Sequence, residues 1–422
     1  MKPRVLFLSA FLLNLSIVQI HGLSQVVKWK GTIEEENGVK VIKNPKEPLY
    51  GGITLELEED LNIGNENDEN YLFNLIFNIN VDMNGNIYVV DFKEKHIQVY
   101  DKFGTHTRTI GRPGQGPGEF QNPSYFHIGP EGNFYVQEMY KFHQFGPKGV
   151  FKRSMTIGNP FGYQLTQLAI LEGEKILAKL HKTTEKGTVS KIALLDNSAK
   201  EIKTIVEYPP FELEPMINGK QIPLWNPYYF MLVLSPYIKG QGIYAYSNEY
   251  EVVIVSSSGE KVFIIKKDEP PSSVTQKEKD LLVNLNIKMF RDSPLRKNKY
   301  SFSKNEINKM IKFPSHKPYF INILSDEDGN IYVIKLKDPS GVKHGVDIDY
   351  FNSKGEYLYR FTIKNKMPAV IRREYFYTVE TDSETDYFRI KRYKIKNWEQ
   401  IKKNEKSNGW TYPISNIHLF LL

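Results

Sequence analysis

The chain has 422 residues, 56 Lys and Arg against 49 Asp and Glu, a formal charge of +7 and no cysteine. Without thiols it can carry no disulfide, no thiolate metal site and no lipid-modified cysteine. The length would accommodate two or three average domains, and after the N-terminal segment no stretch is apolar for long enough to cross a bilayer.

Residues 1–22 carry Lys2 and Arg4, an apolar run from Val5 to Val18 and a small residue at Gly22, the three-part layout of a secretory signal. As a membrane anchor the run is too short, and Ser9, Asn14 and Ser16 interrupt it. The expectation is an exported protein, periplasmic or extracellular. Residues 23–52, with EEEN, Pro45 and Pro48, read as an extended lead-in. ITLELEEDLNI (53–63) alternates Ile53, Leu55 and Leu57 but has no hairpin partner of its own.

From there one unit recurs at a period of roughly 40–50 residues, the mark of a propeller or array. Its first turn reads DMNGN (82–86), GPEGN (129–133), LEGEK (171–175), KGQG (239–242), DEDGN (326–330) and, less regularly, RRE (372–374). An apolar strand follows each time: IYVVD, FYVQE, ILAKL, IYAYS, IYVIK and YFYTV. A second turn recurs in five units as DKFGT, GPKGV, DNSAK, SSSGE and NSKGE, so each unit is a four-stranded meander of strands a to d. The sixth unit stops after YFRIKRYKI (387–395) and would leave an open sheet edge, which folded proteins avoid. Residues 53–63 are expected to supply the missing d strand and close a ring of six blades.

The segment GRPGQGPGEFQNP (111–123) alternates glycines with Pro113, Pro117 and Pro123, so it is neither helix nor ladder strand. The string IYVVDFKEKHIQVYDKFGTHTRTIGRPGQGPGEFQNP (87–123) resembles the repeats of NHL-type six-bladed β-propellers, with their aromatic-valine-aspartate strand, IQVYD strand and PGEF loop. FPSHKPYFINILSDEDGNIYVIK (313–335) resembles the fifth blade of a group of exported bacterial six-bladed propeller proteins. Covering residues 53–396, the resemblance implies an all-β six-bladed propeller. It leaves function open, because propellers host lyases, lactonases, receptors and scaffolds.

In a meander the b-to-c and d-to-next-a connections share one end of the sheet. All the long connections are of that kind: 111–123, 181–187, 208–227, about 267–318 and 337–345. That face is the expected functional face. The insertion at about 267–318, between blades 4 and 5, holds two capping boxes, Thr275 with Glu278 and Ser303 with Glu306. Its helices place Leu281, Leu282, Leu285 and Met289 on one face, and Ile307, Met310 and Ile311 on another. Packing over the propeller, shielding its channel, is the plainer reading; a lid or docking surface is the sharper one. No structure is assigned to residues 397–422.

Lys277, Lys279, Lys288, Arg291, Arg296, Lys297 and Lys299 make the insertion basic, which suits an acidic glycan or anionic headgroup, or simply a solvated surface. Among the aromatics near the long-loop face, Tyr125, Tyr163, Trp225, Tyr228, Tyr229 and Tyr319, the residues selected for ligand contact are Trp225, Tyr228 and Tyr319, joined by Lys288, Arg291, Arg296 and Lys297. The expected function is a monomeric binding or scaffold protein for a glycan, peptide or protein, without nucleic acid, transmembrane segment or cofactor. The alternative is a propeller enzyme, a metal-dependent lyase or lactonase-like hydrolase with zinc or calcium at the channel mouth. Zinc would fall to His127, His181, His316 and His344, although their spacing matches no metal motif. Calcium would fall to Asn74, Asp91, Glu138 and Asn248, of which Asp91 also belongs to the repeat signature. The chain has neither a nucleophile elbow nor a phosphate loop.

Overall fold

A computed structural model describes residues 28–407 except 139, 158–161, 185–186, 212–215, 218–219, 222–223, 293–301, 338–344 and 383. Six antiparallel blades follow one another around a central channel. Blades 1 to 5 occupy residues 76–110, 125–156, 164–211, 232–267 and 322–363, each with strands a to d in chain order. Blade 6 has three strands of its own within 370–395.

The turns explain why the meander repeats. In the a-to-b turn of blade 1, Asp82 accepts from the Asn84 and Asn86 amides, the Asn86 side chain and the Tyr88 hydroxyl. Asp326 does the same in blade 5 with Asp328, Asn330 and Tyr332. In the c-to-d turns, Asp101, Asp196 and Asn352 each cap amides two and four residues on. An Asp or Asn side chain thus satisfies the donors that a tight turn leaves over, and a following glycine supplies the positive φ, as at Gly85 (83°) and Gly104 (84°), a role Ala199 (66°) takes in the Asp196 turn.

Four N-terminal strands bind the ring together: β1 (Thr32–Glu36), β2 (Val39–Asn44), β3 (Gly52–Thr54) and β4 (Leu57–Ile63). β4 is the fourth strand of blade 6, with Ile63 opposite Ile390 and Leu57 opposite Ile395. Arg392 grips both oxygens of Asp60 across this seam, at 2.9 and 3.0 Å. The stretch 53–63 is not one strand, as expected, but two. β3 pairs in parallel with strand d of blade 5, Ile53 opposite Phe361, and the chain then crosses to blade 6. Leu55 is buried at the crossing, and the Asn397 side chain bonds both the Thr54 carbonyl and the Glu56 amide. The lead-in likewise forms structure: β1 and β2 are a hairpin, and β2 extends blade 4 in parallel with its d strand. Buried Asn44 donates to the Gly355 carbonyl and accepts from the Tyr357 amide, tying this hairpin to blade 5.

Large side chains fill the gaps between blades; Tyr88 of blade 1 stacks on Phe126 of blade 2 with centroids 4.7 Å apart. The insertion forms α1 (Gln276–Asp292) and α2 (Lys304–Met310), and both capping boxes are present. Its buried α1 face is Leu282, Val283, Asn286 and Phe290, rotated from the expected one, while Leu281 and Met289 are exposed. These residues share a separate small core with Leu224, Tyr228, Ile307 and Ile311. A third helix, α3 (Trp398–Ser407), buries Trp398 and Ile401 against Tyr350 and Tyr359 of blade 5.

Candidate functional site

Strand a of every blade lines the channel, which encloses about 970 Å³. Side-chain clips hold it at the tight-turn end. The Arg372 guanidinium of blade 6 donates to the Val81 carbonyl of blade 1 at 3.0 Å and to the Ser325 carbonyl of blade 5 at 3.4 Å. Ser325 donates in turn to the Pro236 carbonyl of blade 4. Asn78 and Asn80 bond the Phe126 backbone across blades 1 and 2.

The lining acids, Asp82, Asp326, Glu327 and Asp328, all belong to the a-to-b turns at that same end. Asp82 and Asp326 are occupied by their turns, and Glu327 pairs with Arg373 at 3.1 Å.

Blades 2 and 3 give the channel a different character. Strand b of blade 3, Ile176–Thr184, alternates: Ile176, Ala178 and Leu180 pack toward blade 2, whereas Leu177 packs toward blade 4. Period-two geometry then puts Lys179 and His181 on the blade 4 side. Ser190 lies directly opposite His181 and shares its face. On blade 2, His127 lies opposite Tyr135, which packs toward blade 3. Lys179, His181, Ser190 and His127 all line the channel. Among the described residues the Lys179 ammonium has neither an ion pair nor a hydrogen bond, and burial pushes its pKa down to about 8. The Nε2 atoms of His127 and His181 are buried without partners, as is Oε1 of Gln137. Burial lowers His127 to about 4 and hydrogen bonding to the Gln137 side chain opposes the shift, so these two groups lie within reach of each other and His181 is the imidazole left without a partner. His181 also falls to about 4, through burial first and the Lys179 charge second. Inside the ring the channel therefore offers the Lys179 cation and the neutral His181 imidazole with an unpartnered Nε2; Lys239 and the unpartnered Oε2 of Glu327 lie at the a-to-b turns.

Sequence reasoning named His127 and His181 as zinc candidates, and the structure sets them on opposite sides of blade 3. It placed His181 in a connecting loop, but strand b runs on to Thr184, which lies opposite Gly187 at the start of strand c. His316 is engaged at both nitrogens, by the Asn248 carbonyl and the Ser315 hydroxyl, each at 3.0 Å. His344 lies outside the described residues, as do Arg296 and Lys297. No three His, Asp or Glu side chains converge on a metal site among the described residues. The calcium candidates hold loops instead. Asp91 accepts from the amides of Asn74, Leu75, Lys93 and Glu94. Glu138, at the same point in blade 2, accepts from the Gln121 and Asn122 amides and meets His143. Burial opposes its charge, but His143, the Asn122 amide and Lys141 bring its pKa down to about 2.

Of the expected ligand contacts, Trp225 is 43% exposed, its backbone held at both N and O by Asn286. Tyr228 is buried, because the apolar face of α1 needs a ring over it. Tyr319 is half-buried against Tyr250 and His316. Lys288 and Arg291 are exposed on α1, and Arg291 pairs with Asp292 at 2.8 Å. No helical residue of the insertion lines the channel. Lys179 was missed; its signal is the alternation in ILAKLHK, where two polar residues share one face of an inner strand. Phe77 was missed too: a bulge leaves it 48% exposed and stacked on Phe92 at 4.2 Å.

A second polar cluster is internally satisfied. Buried Asp349 of blade 5 pairs with Lys267 at 2.7 Å and accepts from Tyr250, Tyr357 and Arg360. Burial works against its ionisation, but Lys335 and Lys267 pull its pKa down to about 2.

Residues 65–156 match a family model described as a 6-bladed beta-propeller. The chain is a six-bladed β-propeller. Among solved structures, it resembles a Bacteroides fragilis protein classed as exported, at 13% identity and a TM-score of 0.50, over 84% of this chain and 99% of that one. Other similar structures are a Bacteroides vulgatus protein (13% identity, 81% and 99% covered, TM-score 0.46) and virginiamycin B lyase from Staphylococcus aureus (12%, 80% and 99%, TM-score 0.39). At such identities the likeness is one of fold. No curated protein matches the chain. No described helix is long and apolar enough to cross a membrane.

Proposed function

We propose that this chain is an exported binding propeller that takes its ligand in the central channel, entering from the long-loop face. The observation that carries this is the pairing of a channel of about 970 Å³ with buried, unpartnered polar atoms on the residues that line it. Folded proteins satisfy such atoms unless water or a ligand does so. Export is supported by the layout of residues 1–22, and kinship with NHL-type propellers by the string 87–123. Exposed Trp225, Lys288 and Arg291 lie away from the channel, and they would serve a larger glycan, peptide or protein partner on the same face.

The test uses N-phenyl-1-naphthylamine, a neutral probe that fluoresces when taken out of water. It should bind the wild-type protein at one site and lose binding in Gln167→Trp, which places an indole in the channel lining, while circular dichroism stays unchanged. Absence of binding to the wild type, or equal binding to folded Gln167→Trp, would overturn the reading.

A further inference from the structure

Among the described residues two lysines line the channel without an ion pair: Lys239, exposed in the a-to-b turn of blade 4, and Lys179, inside the ring. The four lining acids sit in the a-to-b turns at the far end: Asp82 and Asp326 are held by turn amides, Glu327 pairs with Arg373 through Oε1 while its Oε2 has no partner, and among the described residues the Asp328 side chain has none. Arg372, the guanidinium at that end, is directed onto backbone carbonyls. Nothing charged faces Lys179 from its neighbours. On its own strand the nearest titratable group is His181, strand c contributes Ser190, and strand a of blade 4 contributes Leu232 and Leu234. His127 belongs to the other side of blade 3. The lining also carries apolar side chains, Phe230 and Met231 beside blade 4 and Ile321, Leu324 and Ala369 farther round, interspersed with Asn78, Asn80 and Asn322, and Met231 is 40% exposed.

We propose that the channel takes an amphipathic organic anion, its acidic head against the Lys179 ammonium and its apolar body along the apolar side chains from Phe230 to Leu324. This rests on the channel being the binding site. A half-buried cation without a counter-charge is costly, and an anion brought into the same confined space reduces that cost while gaining a charge-assisted hydrogen bond. The His181 ring and the Ser190 hydroxyl, on the same face, complete the polar end by accepting or donating to the head group's remaining atoms. An ordinary neutral ligand would leave the ammonium as uncompensated as it is now.

The matched probes are 8-anilinonaphthalene-1-sulfonate and N-phenyl-1-naphthylamine, which share their rings and differ by the sulfonate. At pH 7 the wild type should bind the sulfonate about tenfold more tightly than the neutral amine, the size of one charge-assisted contact. Between pH 7 and pH 9.5 that preference should disappear as Lys179 loses its proton, whose pKa lies at about 8. Lys179→Met should lose the preference at pH 7 yet bind the neutral probe within about twofold of the wild type. Lys179→Arg should keep the preference at both pH values, because a guanidinium does not titrate in this range.

Equal affinity for both probes, or an unchanged preference in Lys179→Met, overturns the anion assignment and leaves the channel as a site for neutral ligands. Loss of both probes in Lys179→Met also overturns it, since Lys179 would then shape the site rather than read charge. Failure of the wild type to bind either probe removes the channel site itself.

Discussion

Replacing Lys179 by methionine keeps the apolar stem and deletes a half-buried, unpaired charge, so the folded protein should become more stable at neutral pH. The ammonium titrates at about 8 in the folded chain instead of the usual 10.5, and burial is the cause. At ~1.36 kcal/mol for each pH unit, that difference corresponds to about 3 kcal/mol. The unfolded chain holds this proton up to pH 10.5 and the folded chain only up to about 8. Between those values the unfolded state binds more protons, so wild-type stability rises with pH across the window, and below it the penalty is present in full. Lys179→Met should therefore exceed the wild type by about 3 kcal/mol at pH 7 and by almost nothing at pH 10.5. For a folded body of roughly 350 residues, at ~2.1 cal/mol/K per residue, the neutral-pH gain is about 4 °C in Tm. Urea unfolding followed by tryptophan fluorescence at both pH values measures the same difference directly. Equal stability of the two proteins at pH 7, or an advantage of the same size at both pH values, would refute the reasoning, because either result means the ammonium is solvated or paired.

The imidazoles make the opposite pH limb. His127 and His181 are lowered from 6.5 to about 4, so the unfolded chain binds protons that the folded one refuses; their contribution is complete above pH 6.5 and is lost as pH falls toward 4. Each accounts for up to about 3 kcal/mol, and the double variant His127→Gln, His181→Gln should flatten the fall in urea midpoint between pH 7 and pH 4.5; a slope identical to the wild type would contradict it. Asp349→Leu strands the fully buried Lys267 beside Glu269 alone and should cost about 3–5 kcal/mol. Adding Lys267→Met should restore part of that loss, and a double variant as unstable as the single one would show that packing, not the unpaired charge, is responsible.

The architecture was legible because a propeller repeats its turns, and turns make specific chemical demands. DMNGNIY and DEDGNIY stand far apart in the chain yet build the same hydrogen-bonded loop around Asp82 and Asp326. The need to cover the edge of 387–395 pointed to the N-terminal strand. Where the pattern was continuous the boundaries blurred. Ile53, Leu55 and Leu57 alternate without a break, so nothing local marks the crossing from blade 5 to blade 6; the marker is Asn397, hundreds of residues away. In α1, apolar residues occur at 281, 282, 283, 285, 287, 289 and 290, which leaves the buried face ambiguous by rotation. The structure resolves it through Asn286, a polar residue buried because it fastens both backbone groups of Trp225 and the Leu282 carbonyl.

The channel site was hidden for a related reason. Strand b of a blade is covered on both faces, so ILAKLHK reads as an apolar strand ending at a loop, and His181 was assigned to that loop. Only the register of Thr184 with Gly187 extends the strand and returns His181 to the inside of the ring. Charge patterning along the chain could not flag Lys179 either, because the informative fact is what does not face it: blade 4 presents leucines, and the acids of the lining lie in turns at the other end. Such an arrangement lowers stability without serving the fold, since methionine would fill the same space at less cost. A cation kept in that position is best explained by something that enters the channel to meet it, and the charge of that visitor follows from the charge of the lysine.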